Sequence, residues 1–197
     1  MKTAQPIRDL KDLKNLKAYY SEEKPNLRNY VLIILGLNTA LRISDILSLR
    51  WGDVYDFDTM GFKKHIILTE KKTGKISQIY MNDNVKEALE IYKEEWMWRR
   101  RRLAESHYLF SGRKIQNKPI SRVQAYRIIK NIAEKYNMIG VVSCHSLRKT
   151  FGYHAWRQGV PPVLLMNIYN HSSFQVTKRY LGIEQDDRDR IFKNIEL

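Results

Sequence analysis

One tyrosine near the end of the chain has the sequence context of a nucleophile. Tyr180 closes the segment Asn170–Tyr180, NHSSFQVTKRY, and alone among 12 tyrosines it follows a His-Ser-Ser start with Lys178 and Arg179 just before it. A phenol with a pKa of about 10 attacks poorly at neutral pH. It can attack a phosphodiester when fixed cations offset the charge on the phosphoryl oxygens and a donor protonates the leaving oxygen. The alternative is a core tyrosine on an amphipathic helix, the usual position of such a residue.

Two candidate cations lie in the first half of the chain. Arg42 follows an apolar segment in TALRISD, and we expect Asp45 to pair with one edge of its guanidinium and leave the other edge for a phosphate. Lys72 lies in a Lys-Thr-Gly turn, where it is either a solvated lysine or a mobile cation that can reach a leaving oxygen. The turn is not a phosphate-binding P-loop, because Thr69 replaces its first glycine and Ile76 its Ser or Thr.

A histidine and an arginine open a predicted helix in the segment CHSLRKT. His145 and Arg148 are three residues apart, so they share one face of the helix, next to free backbone amides that favour a phosphate. The same spacing also occurs often by chance. Cys144 does not face His145 on a helix, and we interpret it as a packing residue rather than a nucleophile.

The densest basic run is Arg99–Arg102, which follows Trp96 and Trp98. It either grips backbone phosphates or forms a solvated helix face with both tryptophans in the core. We assign it no catalytic role.

The composition favours a polyanionic partner. The chain has 197 residues and a formal net charge of +14, from 35 Lys+Arg against 21 Asp+Glu. Lysine and arginine gain by displacing the counterions condensed on nucleic acid, which we favour over an anionic membrane surface or a merely basic soluble protein. The longest apolar run, Tyr30–Leu37, is too short to cross a bilayer, and the charged N-terminus does not fit a signal peptide, so we expect a cytoplasmic protein. With Cys144 as its one cysteine, the chain can form neither an internal disulfide nor a thiolate zinc site.

Hydrophobic periodicity predicts a single, mainly helical α+β domain with a small antiparallel β-sheet. The predicted helices cover 10–20, 26–41, 44–49, 84–103, 121–136, 146–158, 162–169 and 174–180. Strands are predicted at 64–69 and 75–81, on either side of the turn with Lys72, and the 51–57 stretch is expected to join their sheet. A last amphipathic segment contains Ile191, Phe192, Ile195 and Leu197.

Taken in order, these residues resemble the tyrosine recombinase (phage integrase) family. That family has an arginine in an A-L-R-x-S-[DE] segment, a lysine in a β-turn, His-x-x-Arg opening a helix, and then His-Ser-Ser with a tyrosine nine positions after that histidine. All six positions are filled here, and the spacing of the last two is 180 − 171 = 9. The matching residues are Arg42, Lys72, His145, Arg148, His171 and Tyr180. The resemblance spans residues 27–197.

Two positions depart from the family pattern. Tyr169-Asn170 replaces the usual Leu-Gly before the second histidine, and Lys149 replaces the histidine that often follows the arginine. Neither change removes a catalytic group. About 25 residues precede the motifs, too few for the N-terminal helical domain of many integrases. We therefore expect a short stand-alone catalytic domain over 1–197, with an N-terminal helix in 1–25, a docking segment in 184–197 and no core-binding domain; a chain trimmed to its catalytic domain is the alternative.

The resemblance also implies a role for each residue. Tyr180 would attack a backbone phosphorus and form a 3′-phosphotyrosyl link, while Arg42 and Arg148 bind the non-bridging oxygens. Lys72 would protonate the leaving 5′-oxygen, His145 would help to remove the tyrosine proton, and His171 would donate to the phosphate. No metal, ATP or other cofactor is implied, because the bond energy is conserved in the phosphotyrosine.

The implied partner is double-stranded DNA, bound by a homotetramer on paired sites with residues 184–197 docked on the next subunit. Docking of this segment on its own subunit is the alternative. Two other functions stay open at this point: a type IB topoisomerase, which uses a similar residue set but rejoins the same strand, and a DNA-binding regulator that does not cut.

Overall fold

Helices form most of the fold. The computed structural model of the protein describes residues 3–100, 102–112, 118–184, 189 and 192–195. The helices are α1 (Leu10–Ala18), α2 (Leu27–Asn38), α3 (Ile43–Ile46), α4 (Trp51–Val54), α5 (Asp83–Arg100), α6 (Arg122–Lys135), α7 (Cys144–Arg157), α8 (Pro162–Tyr169) and α9 (Phe174–Leu181). The strands are β1 (Tyr55–Asp56), β2 (Gly61–Phe62), β3 (His65–Thr69) and β4 (Ile76–Tyr80). The predicted α+β class, mainly helical with small antiparallel sheets, is confirmed.

Short polar side chains set where the helices begin. Asn26 accepts a hydrogen bond from the Asn29 amide at 3.1 Å and caps α2. Ser121 caps α6 and Ser173 caps α9 in the same way, each by accepting from an amide three residues on. Such caps satisfy backbone donors that have no partner inside the helix. The predicted first helix is shorter than expected, because α1 passes into a π-helical turn at Tyr19–Glu23.

The strands form two separate hairpins rather than one sheet. β3 pairs with β4 in antiparallel register from His65↔Tyr80 to Thr69↔Ile76, and β1 pairs with β2. The predicted strand at 51–57 was therefore largely wrong. The Asp53 carboxylate accepts from the Arg50 amide at 2.7 Å and closes the helical turn α4, so that strand begins only at Tyr55.

Two hydrophobic clusters fill the interior. The large cluster centres on α2, which packs against α5 and α7, and includes Leu32, Ile33 and Leu35, which are fully buried. The small cluster lies between α7, α8 and α9. Its buried members are Ala40, Tyr153, Leu165, Tyr169, Leu181 and Ile183.

The segment before α1 forms hydrogen bonds to α7 and to the end of α9. The Ile7 amide donates to the Thr150 hydroxyl at 2.8 Å, and Arg8 donates to the carbonyl of Gly182 at 2.7 Å. Within the described part of the chain, no helix is both long and apolar enough to cross a membrane. Of the expected C-terminal docking segment, Ile191 and Leu197 lie outside the described residues, whereas Phe192 and Ile195 are exposed.

Candidate active site

Arg42 precedes α3 and pairs with a residue that the sequence did not indicate. Its guanidinium forms an ion pair with Glu70, not with Asp45. One oxygen of Asp45 instead accepts from the Lys71 amide at 3.1 Å, and the other has no hydrogen-bond partner among the described residues. The expected Arg42–Asp45 pair was therefore wrong. Arg42 also lines a groove beside Lys72 and His145, so part of its side chain faces that groove.

Glu70 is a buried carboxylate whose pKa is held below its ordinary value. Only 3% of the residue is exposed. Burial alone would raise the pKa, but the Ser77 and Thr73 hydroxyls and the Arg42 guanidinium outweigh this by hydrogen bonding to the charged form. Strand alternation could have identified the residue, since Glu70 continues the inward-facing series of Ile66 and Leu68 along β3.

Lys72 lies in the turn that connects β3 and β4. The turn runs from Glu70 to Lys75, and Gly74 has a positive φ of 67°, which glycine adopts without strain. Lys72 is exposed and lines the same groove as Arg42 and His145. Its position fits a mobile cation.

The start of α7 carries His145 and Arg148. The Ser143 hydroxyl accepts from the His145 amide at 3.3 Å and caps the helix, and His145 lines the groove. Arg148 lies deeper, only 4% exposed, and donates to the carbonyl of Ala40. Its guanidinium carbon lies 4.7 Å from the centre of the Tyr169 ring. Among the described residues no carboxylate forms an ion pair with Arg148, so this buried cation has room for an external anion.

Tyr180 packs beside His171 at the edge of the small cluster. The two ring centroids are 5.1 Å apart, and His171 Nδ1 lies 3.0 Å from the hydroxyl of Thr177, which is on α9 with Tyr180. Burial raises the pKa of Tyr180, while the charges of Arg148 and Arg42 oppose this shift. Lys149, the departure from the family pattern, places its ammonium 4.9 Å from the Tyr180 ring centre.

The six predicted site residues form two neighbouring groups. Arg42, Lys72 and His145 line the groove, whereas Arg148 lies on α7, Tyr180 on α9 and His171 in the loop between α8 and α9. Cations of each group affect the pKa values of histidines in the other group. The pKa of His145 is lowered first by loss of water and then by nearby cations, Arg148 and Arg42 among them, and the pKa of His171 shifts in the same direction. The lowered pKa values favour neutral imidazoles at both histidines near neutral pH.

Of the run Arg99–Arg102, the structure describes the side chains of Arg99 and Arg102, and neither lines the groove. Arg99 pairs with Glu95 at 2.8 Å, an exposed contact of little energetic weight. Trp96 is buried, but Trp98 is 83% exposed, so the alternative of a solvated helix face holds with only one of the two tryptophans in the core. Arg101 lies outside the described residues.

Comparison with known proteins assigns the chain. Residues 9–186 match the model of the phage integrase family. The chain belongs to the phage integrase family. It is 38% identical over 193 residues to the "Probable integrase/recombinase YoeC" of Bacillus subtilis, covering 98% of this chain and 97% of that protein. It is 27% identical to the "Type 1 fimbriae regulatory protein FimE" of Escherichia coli, covering 78% of this chain and 73% of that one.

The chain covers a smaller share of several other relatives. The chain is 22% identical to the tyrosine recombinase XerC of Staphylococcus epidermidis and spans 55% of its length. In fold it resembles the XerA recombinase with a TM-score of 0.74 and 19% identity, over 99% of this chain and 68% of that one. The Tn1549 transposon integrase, solved with a circular intermediate DNA, gives a TM-score of 0.67 at 21% identity, over 91% of this chain and 62% of that one. The protein therefore has the fold of a tyrosine recombinase catalytic domain.

Proposed function

We propose that this site-specific recombinase cuts and rejoins DNA through a covalent bond between Tyr180 and a backbone phosphate. The observation that carries the proposal is Arg148, a buried arginine in the charge field of Tyr180 that lacks a carboxylate partner among the described residues. A buried cation of this kind is stabilised by a phosphate. The adjacent phenol is then the group able to attack that phosphate.

Two arginines stabilise the charge that develops in the reaction. Arg148 and Arg42 bind the non-bridging oxygens of the scissile phosphate, where charge grows in the transition state. Arg42 can do so with the edge of its guanidinium that faces the groove, while Glu70 holds the other edge.

The remaining groups move protons. Tyr180 bonds to phosphorus as the bond from phosphorus to the 5′-oxygen breaks, and Lys72 gives that oxygen a proton. The neutral imidazole of His145 takes the tyrosine proton, and His171 donates a hydrogen bond to the phosphate. The 5′-hydroxyl of a partner strand then attacks the phosphotyrosine and releases Tyr180.

We also propose that the working assembly is a homotetramer on two paired DNA sites. The net charge of +14 supports DNA as the partner. Phe192 and Ile195, 81% and 58% exposed, give the segment 184–197 an apolar surface for docking on a neighbouring subunit. Helix α8 exposes Leu164 and Ile168 as an apolar face that suits such a segment. Because the substrate is DNA, we place the protein in the cytoplasm.

The test is a covalent-adduct assay. The protein is incubated with a suicide duplex taken from DNA that flanks its own gene, in EDTA, and a denaturing gel is scanned for a slow, protease-sensitive band. We expect this band with the wild type and not with Tyr180→Phe, at equal DNA affinity. A band that persists in Tyr180→Phe would show that another residue is the nucleophile.

A further inference from the structure

A single buried carboxylate joins three elements that carry proposed catalytic groups. Glu70 lies between β3 and the turn, and its side chain contacts Arg42, the turn with Lys72, and the loop that leads to His171. The roles implied by the family resemblance do not include this residue, and the proposed chemistry gives it only the contact with one edge of Arg42.

The first contact orients Arg42. The ion pair engages one terminal nitrogen of the guanidinium, and the Arg42 side chain is 18% exposed against 3% for Glu70. A buried carboxylate bound to one edge of a planar guanidinium limits its rotation. The opposite edge is thereby held towards the groove.

The second contact fixes the turn. The Thr73 and Ser77 hydroxyls each donate to the Glu70 carboxylate at 2.9 Å, one from the turn and one from β4. The Glu70 carbonyl also accepts from the Gly74 amide at 2.8 Å. Lys72 lies inside this closed turn, so its backbone is held while its side chain stays free to move.

The third contact reaches the loop before His171. The Asn170 side-chain nitrogen lies 3.5 Å from both Glu70 carboxylate oxygens, and Lys75 donates to the Asn170 side-chain oxygen Oδ1 at 3.1 Å. Asn170 has a positive φ of 54°, a conformation that suits glycine or asparagine. The glycine usual at this position would fit the backbone equally well but has no side chain to reach Glu70. The contact is therefore a feature of this chain.

We infer that Glu70 is a positioning residue. It fixes the positions of Arg42, the Lys72 turn and, through Asn170, the His171 loop relative to one another. The inference rests on the proposed function of those three groups. Glu70 acts through them and does not touch the DNA.

The first experiment compares Glu70→Gln with Glu90→Gln. Both changes remove one negative charge, but Glu90 is partly exposed on α5 and pairs with Lys93 on the same helix at 2.6 Å. On saturating suicide duplex we expect Glu70→Gln to form the Tyr180 adduct on the order of 100-fold more slowly, since small displacements of catalytic groups have such effects. Its DNA affinity should match that of Glu90→Gln.

A modified DNA separates positioning from a loss of folding. A methylphosphonate at the cleavage site removes one charged oxygen that an arginine would bind. The deficit of Glu70→Gln should shrink on this DNA if it arises through Arg42, whereas a less stable protein would be impaired equally on both. Equal deficits on the two DNAs would overturn the inference.

Asn170→Gly tests the link to the loop with little risk to folding. This change restores the family residue and keeps the positive φ. We expect slower adduct formation in Asn170→Gly, and no additional loss when it is combined with Glu70→Gln, because residues in one network are not additive. Independent, multiplying losses would show that Asn170 does not act through Glu70.

A measurement without DNA decides the inference even if no adduct forms. In side-chain ¹⁵N relaxation spectra, the Arg42 Nε–H should be rigid in the wild type and in Glu90→Gln, and mobile in Glu70→Gln. An Arg42 signal that is equally rigid in all three proteins would overturn the positioning role. Absence of any Tyr180-dependent band with the wild type would count against the proposed function on that DNA, and the relaxation data would still decide the role of Glu70.

Discussion

The large and small hydrophobic clusters differ in size and in the groups beside them. The large cluster surrounds α2, whereas the small cluster packs two tyrosines, Tyr153 and Tyr169, with four aliphatic side chains. Arg148 and Lys149 are among the cations beside the small cluster. Arg148 lies 4.7 Å from the Tyr169 ring centre, and Lys149 lies 4.9 Å from that of Tyr180.

This difference suggests that the large cluster mainly stabilises the fold, whereas the small cluster mainly positions reactive groups. The free energy of folding comes mainly from buried apolar area, which is concentrated in the large cluster. The small cluster buries less, yet it packs directly against Tyr180 and the buried Arg148. A change there should affect the chemistry more than the stability, and a matched change in the large cluster should do the opposite.

A pair of glycines gives the strongest test of this contrast. An added Cβ at Gly152 would lie 2.5 Å from the Tyr169 hydroxyl, and one at Gly36 would lie 2.5 Å from the end of the Leu147 side chain. We expect Gly152→Ala to slow adduct formation by about 100-fold, because Tyr169 is fully buried and its shift would displace its neighbour Tyr180.

Gly36→Ala is the matched control in the large cluster. Crowding there should lower the free energy of unfolding by about 1–3 kcal/mol, measured by urea titration, with a much smaller effect on the adduct rate. If both variants lose rate and stability in the same proportion, the two clusters do not divide these tasks.

Two buried tyrosine hydroxyls form a second matched pair. Tyr169 donates to the carbonyl of Arg148 at 2.6 Å, and Tyr92 donates to the carbonyl of Leu109 at 2.7 Å in the large cluster. Each Tyr→Phe change should cost about 1 kcal/mol of unfolding free energy. Only Tyr169→Phe should also slow adduct formation, by about fivefold, since a hydrogen bond of this energy holds the backbone of Arg148. An equal rate loss in Tyr92→Phe would contradict this contrast.

The histidines should make the site sensitive to acid. The pKa values of His145 and His171 are lowered in the folded protein, so as the pH falls below about 6.5 the unfolded chain takes up these protons first. The two histidines therefore cost no stability above that pH, and the free energy of unfolding falls as the pH drops below it. We expect a lower melting temperature at pH 5.5 than at pH 7.5, and a smaller difference in a His145→Asn, His171→Gln variant. The same acid sensitivity in that variant would assign the effect to other groups.

The smallest expected effect concerns Cys144, which adjoins the large cluster next to His145. Burial raises the pKa of its thiol to about 11. At pH 8 on the order of one thiol in a thousand is then ionised, and the thiolate is the reactive form. Iodoacetamide should label the folded protein much more slowly than the urea-unfolded protein. Equal labelling rates would place Cys144 with the reactive groups of the site and not with the core.

Several features could be predicted because they depend on local sequence. The helix starts at Ser121 and Ser173 follow from capping, which involves residues three apart. The helical class of most elements follows from hydrophobic period. The six candidate site residues were selected by spacing and family resemblance, and their catalytic roles stay predictions.

Other features were left open or mispredicted by residue type alone. Trp98 lies two residues after the buried Trp96, on the opposite face of α5, and is exposed. The stretch Trp51–Phe57 has strand-forming residues, but the Asp53 bond to the Arg50 amide closes α4 first. Propensity is a weak guide where a local hydrogen bond or tertiary packing opposes it.

The amino-acid sequence by itself determined the family, the order of the candidate groups and the positive charge suited to DNA, because these depend only on residue types and spacing. The tertiary structure decided which carboxylate pairs with Arg42. Asp45 is three residues away along the chain, but Glu70, 28 residues away, is the one that the fold brings to the guanidinium. It also decided that Asn170, 100 residues from Glu70, reaches the same carboxylate. Ion pairs form over a few ångströms, and only the packed fold sets distances of that size.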